Sequence, residues 1–294
     1  MMINCKLKNK YLQLIRFDKP IGTLLLLWPT FWAIIIASNF KPDIINIVIF
    51  GLGVFLTRSA GCVFNDIFDS DIDKYVIRTK DRPITNGSIT KTHALIIAII
   101  LSFCAFIPCL IFFNIDAILI SILAGIIYIL YPLCKRFFIL PQLCLGIAFS
   151  MGIIIAFIQI KQQITIITII LFIANIFWVL GYDTIYALSD IIDDKKINLK
   201  STAITMGNHV NLFITICYSI FIALMILLGV SLELSSLYFF ACSISAGILC
   251  YQIIWLYYLK VNNNIQLSLN NMLYIKLFKL NNWIGLLISL GILL

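Results

Sequence analysis

The sequence predicts an all-α fold, a multi-pass transmembrane helix bundle of about nine spans, and three observations support this prediction. Hydrophobic residues make up 62% of the 294 residues and charged residues only 12%, with a mean hydropathy of +1.06. A soluble core of this size could not bury so much apolar surface. The apolar residues form runs of roughly 18 or more, the length that a helix needs to cross the bilayer core. These runs are apolar on all faces, whereas the strands of a membrane barrel alternate polar and apolar residues.

The spans follow one another along the chain, with short polar turns between most of them. A hydropathy window of about 19 residues separates them. The last span contains Lys276 and Lys279, whose charged ends have to reach a membrane surface. No soluble domain is indicated, so we expect a single integral-membrane domain over residues 1–294. The predicted spans are residues 20–38, 44–64, 95–113, 116–132, 138–158, 164–184, 210–230, 234–258 and 273–294.

The positive residues are concentrated in every second loop. A net charge of +8 could indicate a nucleic-acid partner, but this distribution is a topology signal instead, and we expect no nucleic acid. By the positive-inside rule the N-terminus and the basic loops are cytoplasmic. The two largest cytoplasmic loops, about 65–94 and 185–209, are also the most charged, so we expect the functional site there. The cytoplasmic basic residues are Lys6, Lys8, Lys10, Arg16, Lys19, Lys74, Arg78, Lys80, Arg82, Lys91, Lys135, Arg136, Lys195, Lys196 and Lys200.

An acidic segment, NDIFDSDID over 65–73, directly follows the second span. If the helix continues, Asp66, Asp69 and Asp73 share one face, with Asn65 nearby. The aspartates of this segment repel one another, and a divalent cation would neutralise that repulsion. The segment is therefore a candidate metal site.

A second acidic segment, DTIYALSDIIDD over 183–194, lies at the cytoplasmic end of the sixth span. Asp183, Asp190 and Asp194 are spaced at i, i+7 and i+11, which again indicates one helical face. Mg²⁺ typically takes one or two protein carboxylates together with phosphate oxygens and water, so two sparse carboxylate groups predict a Mg²⁺-bridged diphosphate site. The alternative is that both segments are solvated loop ends. That alternative does not explain why nine of the thirteen acidic residues lie in these two regions.

The first acidic segment and the residues after it resemble a known family. NDxxDxxxD at 65–73, followed by RTKDRP at 78–83, resembles the first motif of the UbiA-type intramembrane prenyltransferases. Ile191 and Ile192 stand where this family has more charged residues, so the metal role of the second segment is assigned to its aspartates. Further stretches, within about residues 11–210, are similar to the 4-hydroxybenzoate polyprenyltransferases of ubiquinone biosynthesis: RFDKPIG at 16–22, WP at 28–29, YPLCKR at 131–136, DTIYA at 183–187 and KSTA at 200–203.

The resemblance implies a bundle around a central cavity, with a Mg²⁺-bound polyprenyl diphosphate under cytoplasmic cap loops and a lateral opening to lipid. It implies transfer of the polyprenyl group to the carbon ortho to the hydroxyl of 4-hydroxybenzoate, in the bacterial cytoplasmic membrane and without an obligate protein partner. The catalytic residues implied are Asp66, Asp69, Asp73, Asp183, Asp190, Asp193 and Asp194. The Mg²⁺ ligands implied are Asp66, Asp69, Asp73, Asp190 and Asp194.

Arg58 interrupts the second span, where an unpaired charge is costly. It lies two turns before Asn65 on the same helical face and could reach the carboxylate of the aromatic acid. The alternative is that it pairs with a backbone carbonyl or extends toward an interface. Either Asp193 or Asp183 could accept the phenolic proton, and their spacing does not choose between them. The other expected substrate contacts are Asn65, Arg78, Lys80, Arg82, Tyr131, Lys135 and Arg136, with Lys135 assigned to diphosphate through the family's YxxxK element.

Two alternative functions remain open from the residues alone. A transporter would also carry intramembrane charge, but it predicts charges near the middle of spans, whereas these carboxylates lie at span ends. A sister prenyltransferase could use a naphthoate, haem or chlorophyll precursor as its acceptor. Arg58 is compatible with any carboxylated acceptor, so the contacts of the acceptor discriminate between these enzymes.

Overall fold

The computed structural model describes residues 9–261 and 267–294, which contain helices and no strand. Lys6 and Lys8, used above for topology, lie outside the described residues. The all-α fold class is confirmed. The helices, labelled in chain order, are α1 Lys10–Leu14, α2 Ile21–Ala37, α3 Ile44–Asp69, α4 Lys91–Phe112, α5 Ile115–Leu130, α6 Cys134–Phe137, α7 Pro141–Lys161, α8 Ile166–Leu188, α9 Ile191–Lys196, α10 Thr202–Met206, α11 Val210–Ser231, α12 Ser236–Val261 and α13 Leu267–Leu293.

Each predicted span corresponds to one long helix of the described residues. Eight helical segments are long and apolar enough to cross a membrane, and α2 is a shorter apolar helix of 17 residues. The second span extends to Asp69, beyond its predicted end at residue 64, so the first acidic residues lie on α3 itself. α13 begins at Leu267 instead of residue 273, and Lys276 and Lys279 lie on its exposed side.

Polar turns start several of the membrane helices by capping their first N–H groups. Asp43 caps α3 by accepting from Ile45 N at 3.2 Å, and Asn114 caps α5 by accepting from Ala117 N at 2.9 Å. Thr165 forms a capping box at the start of α8. Such side chains satisfy donors that have no partner inside the helix, which explains why these apolar runs begin as helices where they do.

Aromatic and amide side chains join helices at the centre of the bundle. Trp178 of α8 stacks on Trp32 of α2 at a centroid distance of 5.3 Å and on Phe221 of α11 at 5.4 Å. Its indole N–H donates to Asn281 of α13 at 2.9 Å. Close packing and interhelical hydrogen bonds hold helices together in a membrane. These contacts therefore fix the depth of α8, which leads into the second acidic segment.

α2 and α13 close the ring of helices. The indole N–H of Trp28 donates to Asn282 at 2.9 Å, and that of Trp32 donates to Ser289 at 2.9 Å. Gly285 permits the close approach, because a Cβ there would lie 2.1 Å from Trp28 Cδ1. On the other side of the bundle α4 and α5 are largely exposed, as expected of helices that face hydrocarbon.

Candidate active site

The first acidic segment does not continue as a helix, and a turn returns its last carboxylate to the others. α3 ends at Asp69, and Asp73 begins a short 3-10 turn, Asp73–Tyr75, so the face predicted for a continuous helix is not formed. Arg82 joins the carboxylates instead. Its Nη1 donates to Asp73 Oδ2 at 2.6 Å and lies 3.0 Å from Asp66 Oδ1. All three aspartates are buried.

Both carboxylate oxygens of Asp66 have cationic partners. Arg16 Nη2 donates to them at 2.7 and 2.8 Å, and Arg82 reaches Oδ1 as well. Arg16 has a φ of 58°, in the left-handed region that is strained for a side-chain-bearing residue. Arg16 is not among the site residues predicted from the sequence. Its position in the RFDKPIG stretch is the signal that could have indicated it.

Asp69 differs from Asp66 because one of its oxygens lacks a protein partner. Lys135 pairs with Oδ2, whereas Oδ1 is buried and accepts no hydrogen bond from the described residues. A buried carboxylate oxygen without a partner is costly, so a cationic ligand would be stabilised here. Arg136 donates to the Phe68 carbonyl at 2.6 Å, which fixes α6 beside the end of α3.

The second acidic segment is also interrupted. α8 ends before Asp190, which lies in the turn that leads into α9, so the predicted common helical face of Asp183, Asp190 and Asp194 is not formed. Arg78 holds Asp190 through Nε and Nη2, at 2.5 to 3.1 Å. The guanidinium of Arg78 also lies 5.0 Å from the centre of the Tyr186 ring. Arg78 of the first cap loop thus contacts the second segment directly.

Backbone contacts also hold the two predicted cap loops together. Asp193 Oδ2 accepts the Ile77 N–H at 3.2 Å, and Lys196 donates to the other oxygen at 3.3 Å. The Lys200 N–H donates to the Lys135 carbonyl at 3.0 Å. The two acidic segments therefore face each other across one cluster of carboxylates and cations.

The groups of this cluster shift one another's pKa values. Burial raises the pKa of Asp73 above its ordinary value, although Arg82 opposes it. Burial, reinforced by Asp190, raises the pKa of Asp194 to about 6. Burial acts to lower the pKa of Arg78 and Arg82, but neighbouring tyrosine and carboxylate groups outweigh it and raise both values. The arginines are therefore firmly cationic, and further positive charge would stabilise the ionised carboxylates.

A second group of predicted residues lies deeper in the bundle. Arg58 is about 12 Å back along α3 from Asp66, the first acidic residue. Its Nη1 lies 3.5 Å from the Tyr128 hydroxyl, and its Cζ lies 5.6 Å from the centre of the Phe149 ring. Asp183 and Tyr131 are within electrostatic range of Arg58. Arg58 is thus a half-buried cation beside aromatic side chains, and we call this group of residues the Arg58 pocket.

Lys80 and Asn65 do not join the ion-pair cluster. Lys80 is exposed, whereas Arg78 and Arg82, two positions to either side of it, pair with aspartates. Asn65 is half-buried on α3, one turn before Asp69. The structure therefore brings together most of the predicted diphosphate contacts but leaves Lys80 at the surface.

An apolar cavity of about 370 Å³ adjoins the Arg58 pocket, because Tyr128 belongs to the walls of both. Along α3 the cavity extends from Ile49 to Phe64, about 22 Å of helix. Small residues such as Gly53 and Ala60 leave space on this wall. The remaining walls come from α2, α4, α5 and α7. A long apolar cavity suits an extended hydrocarbon chain.

The carboxylate cluster fits Mg²⁺ bound together with a diphosphate. Within the described ranges, no three side chains of His, Cys, Asp or Glu converge to hold a metal by themselves. Mg²⁺ does not require such a cage, because it completes its octahedron with phosphate oxygens and water. The unpartnered Oδ1 of Asp69 offers it a hard ligand. The surrounding arginines and lysine match the charge of a diphosphate.

Comparisons with known proteins identify the class to which this membrane bundle belongs. Residues 26–283 match the model of the UbiA prenyltransferase family, and the chain belongs to this family. The family resemblance of the acidic motifs is thereby confirmed. The 4-hydroxybenzoate octaprenyltransferase of Francisella tularensis subsp. mediasiatica (strain FSC147) is 42% identical over 278 residues, which cover 95% of this chain and 94% of that protein.

Solved structures show the same fold. A UbiA homologue from Aeropyrum pernix K1 has a TM-score of 0.77 at 22% identity, over 92% of this chain and 97% of the other. A UbiA homologue from Archaeoglobus fulgidus bound to GPP and Mg²⁺ has a TM-score of 0.67 at 18% identity, over 96% and 100% of the two chains. The bundle described above is therefore the architecture of the family.

Proposed function

We propose that this protein transfers a polyprenyl group from polyprenyl diphosphate to the ring carbon ortho to the hydroxyl of 4-hydroxybenzoate, as a step of ubiquinone biosynthesis. One observation carries the proposal: the charged cluster of the cap loops lies about 12 Å along α3 from the Arg58 pocket, which shares Tyr128 with the apolar cavity. These three parts suit a diphosphate, a carboxylated aromatic ring and a hydrocarbon chain. The 42% identity to a 4-hydroxybenzoate octaprenyltransferase supports this choice of acceptor.

The diphosphate group would lie between the two cap loops. Bound Mg²⁺ would neutralise the negative charge that develops on the leaving diphosphate. Arg78, Arg82 and Lys135, now paired with carboxylates, would donate to phosphate oxygens once the metal occupies those carboxylates. The residues proposed to hold Mg²⁺ are Asp69, Asp73, Asp190 and Asp194.

We propose a positioning role for Asp66 instead of the metal-ligand role predicted from the sequence. Both of its oxygens are occupied by Arg16 and Arg82, and its side chain is fully buried. A metal that binds there would compete with two arginines at a fully buried carboxylate, whereas Asp190, which Arg78 holds, is partly exposed. We therefore assign Asp66 to positioning Arg16 and Arg82 beside the diphosphate.

The aromatic acid would bind in the Arg58 pocket. The guanidinium of Arg58 can hold both oxygens of the acceptor carboxylate, and the ring of Phe149 beside it offers an apolar wall. Asp193 is engaged with the Ile77 N–H and with Lys196. Asp183, which lies within electrostatic range of Arg58, is therefore the proposed proton acceptor.

The reaction breaks one bond and forms another at the allylic carbon. The allylic C–O bond breaks, and its electron pair leaves with the diphosphate, whose charge Arg78, Arg82 and Lys135 stabilise. The ring carbon ortho to the phenolic oxygen then forms a C–C bond to the allylic carbon. Asp183 accepts the phenolic proton as the ring attacks, and tautomerisation of the resulting dienone moves the proton of that ring carbon to the oxygen, which restores aromaticity. The apolar walls around Tyr128 and Phe149 exclude water from the allylic cation.

The prenyl chain would occupy the apolar cavity, which adjoins the Arg58 pocket and has walls from the lipid-facing helices α4 and α5. We place the protein in the bacterial cytoplasmic membrane with its N-terminus and cap loops in the cytoplasm. The basic residues of the alternate loops support this orientation. The polyprenyl substrate and the prenylated product would then stay in the bilayer while diphosphate leaves to the cytoplasm.

The test is an assay of membranes that contain the protein, with labelled 4-hydroxybenzoate, a polyprenyl diphosphate and Mg²⁺. We expect a lipid-soluble prenylated aromatic product that disappears with a chelator. Parallel reactions with 1,4-dihydroxy-2-naphthoate test the sister-enzyme alternative. Product from the naphthoate but none from 4-hydroxybenzoate would overturn the proposed acceptor, and no product from either would overturn the activity.

A further inference from the structure

We infer that Gly22 is a positioning residue for the aromatic acceptor, because the absence of a side chain there provides the space in which the Arg58 guanidinium lies. This inference rests on the proposed function. Gly22 lies in the first turn of α2, at the end of the RFDKPIG stretch, and it is remote in sequence from the arginine that it accommodates.

The geometry leaves no room for a side chain at this position. A Cβ on Gly22 would lie 2.7 Å from Arg58 Nη2, 2.8 Å from Nε and 3.1 Å from Cζ. Separations below 3.0 Å essentially never occur for real Cβ atoms. Gly22 does not have a positive φ, so its backbone conformation does not require glycine. The reason for glycine here is the space that Arg58 takes.

Aromatic rings also lie beside the Arg58 guanidinium. Tyr128 and Phe149 are both buried and contact it. Tyr128 in turn packs directly on Gly61, where a Cβ would lie 2.0 Å from Tyr128 Cε1. Arg58 therefore has Gly22 of α2 and two aromatic rings as neighbours. A methyl group on Gly22 would force the guanidinium out of its present position.

This displacement would cost the fold little. The atoms that a methyl group would meet belong to the flexible end of Arg58, and alanine is a better helix former than glycine. Gly22→Ala should therefore leave thermal stability unchanged or slightly raised while it moves the group that binds the acceptor. If Gly22 acted only in packing, Gly22→Ala would lower thermal stability and leave acceptor binding unchanged.

The experiment compares the Michaelis constants of Gly22→Ala for the two substrates. We expect KM for 4-hydroxybenzoate to rise about tenfold, as when a charge-assisted hydrogen bond is misplaced, with KM for polyprenyl diphosphate and Tm unchanged. Gly51→Ala and Gly247→Ala are matched controls, because a Cβ at either position meets nothing within 4 Å. An unchanged KM for 4-hydroxybenzoate in Gly22→Ala would overturn the inference.

A double-mutant cycle tests whether Gly22 acts through Arg58. In the Arg58→Ala background, adding Gly22→Ala should raise KM no further, since the group that Gly22 accommodates is gone. Additive effects would overturn the inference. If the wild-type protein does not prenylate 4-hydroxybenzoate, the proposed function fails. If the wild type is active and Gly22→Ala has the wild-type KM for 4-hydroxybenzoate, only the role proposed for Gly22 fails.

Discussion

Aspartates that lie a few residues apart in the first acidic segment differ in what their oxygen atoms contact. Asp66 has arginine partners on both oxygens, Asp69 has one buried oxygen without a partner, and Asp71 is 73% exposed and pairs with Lys74 and Lys91. An exposed ion pair contributes little, whereas a buried unpartnered oxygen favours a ligand. The residues therefore have unequal roles despite their shared motif.

Asp69→Asn should lower kcat at least about 100-fold, because it removes a charge from the proposed metal site, and groups that stabilise the transition state contribute on this scale. Asp71→Asn is the matched control in the same segment and should leave kcat within about twofold, as expected for an exposed pair. The measurement is initial-rate kinetics at saturating substrates. Similar losses in both variants would contradict the assignment and indicate a general effect of segment charge.

Arg58→Ala should raise KM for 4-hydroxybenzoate about 10- to 100-fold, because hydrogen bonds to a charged group contribute about 1.5–3 kcal/mol. KM for the diphosphate should not change, since Arg58 lies deeper than the cap-loop cluster. With 4-hydroxybenzamide, which lacks the carboxylate, wild type and variant should behave alike. A variant whose KM for the acid is normal would remove Arg58 from the acceptor site.

At the scale of elements, the second cap loop depends on a hydrogen bond to α7. Gln142 Oε1 accepts from the Thr202 N–H at 2.8 Å and from its hydroxyl at 2.7 Å, and both residues are buried. The amide of Gln142 also lies beside Asp183. One side chain thus links the start of α10, the base of the cap loop and the proposed proton acceptor.

Gln142→Leu should destabilise the protein by about 1–3 kcal/mol, because it leaves the buried N–H of Thr202 without a partner. The measurement is the Tm of the purified protein in detergent. Gln163→Leu, at an exposed turn position on the other side of the bundle, is the control and should have little effect. A Tm equal to that of the wild type would show that the cap loop does not depend on this contact.

At the scale of the whole molecule, hydrogen bonds of buried amides join four helices. Asn281 of α13 accepts from Trp178 of α8 and donates to Gln252 of α12 at 3.3 Å. Gln252 also accepts from the Tyr218 hydroxyl of α11 at 2.9 Å. Because these groups have no access to water within the bundle, each needs its partner. The network therefore ties α13 to α8, which leads into the second acidic segment.

Asn281→Leu should lower the free energy of unfolding by about 1–2 kcal/mol, the upper range measured for hydrogen bonds between membrane helices. Thermal unfolding in detergent measures this loss. Trp283→Leu alters a neighbouring residue that is 56% exposed and should be nearly neutral. Equal stability of the two variants would show that the network does not hold the bundle together.

Removal of Mg²⁺ should abolish turnover without unfolding the protein. Asp66, Asp69, Asp73 and Asp190 already have arginine or lysine partners in the fold itself, so their charge does not depend on the metal. A chelator should therefore leave the helical circular dichroism and Tm unchanged, and added Mg²⁺ should restore activity. Loss of helical structure in the chelator would contradict this account.

Much of the fold could be predicted from the sequence because the signals are local. The length and composition of each apolar run indicate a span, and the acidic motifs at two span ends indicate where the chemistry lies. The continuous helical faces predicted for the aspartates are not formed, because both helices end within the motifs. Arg16 and Gly22 could not be assigned to the site from the sequence, because spacing along the chain does not indicate which distant residue each of them contacts.

Residues adjacent in the chain are enough to predict the membrane bundle, its approximate spans, the family and the acidic segments. Which carboxylate meets which cation depends instead on the tertiary structure. Arg16 reaches Asp66 across 50 positions, Arg78 reaches Asp190 across 112, and Ile77 reaches Asp193 across 116. Such pairings depend on how the helices pack, which no local pattern specifies. Helix packing therefore decides which carboxylate oxygens hold arginines, and it leaves Asp69 Oδ1 without a partner among the described residues.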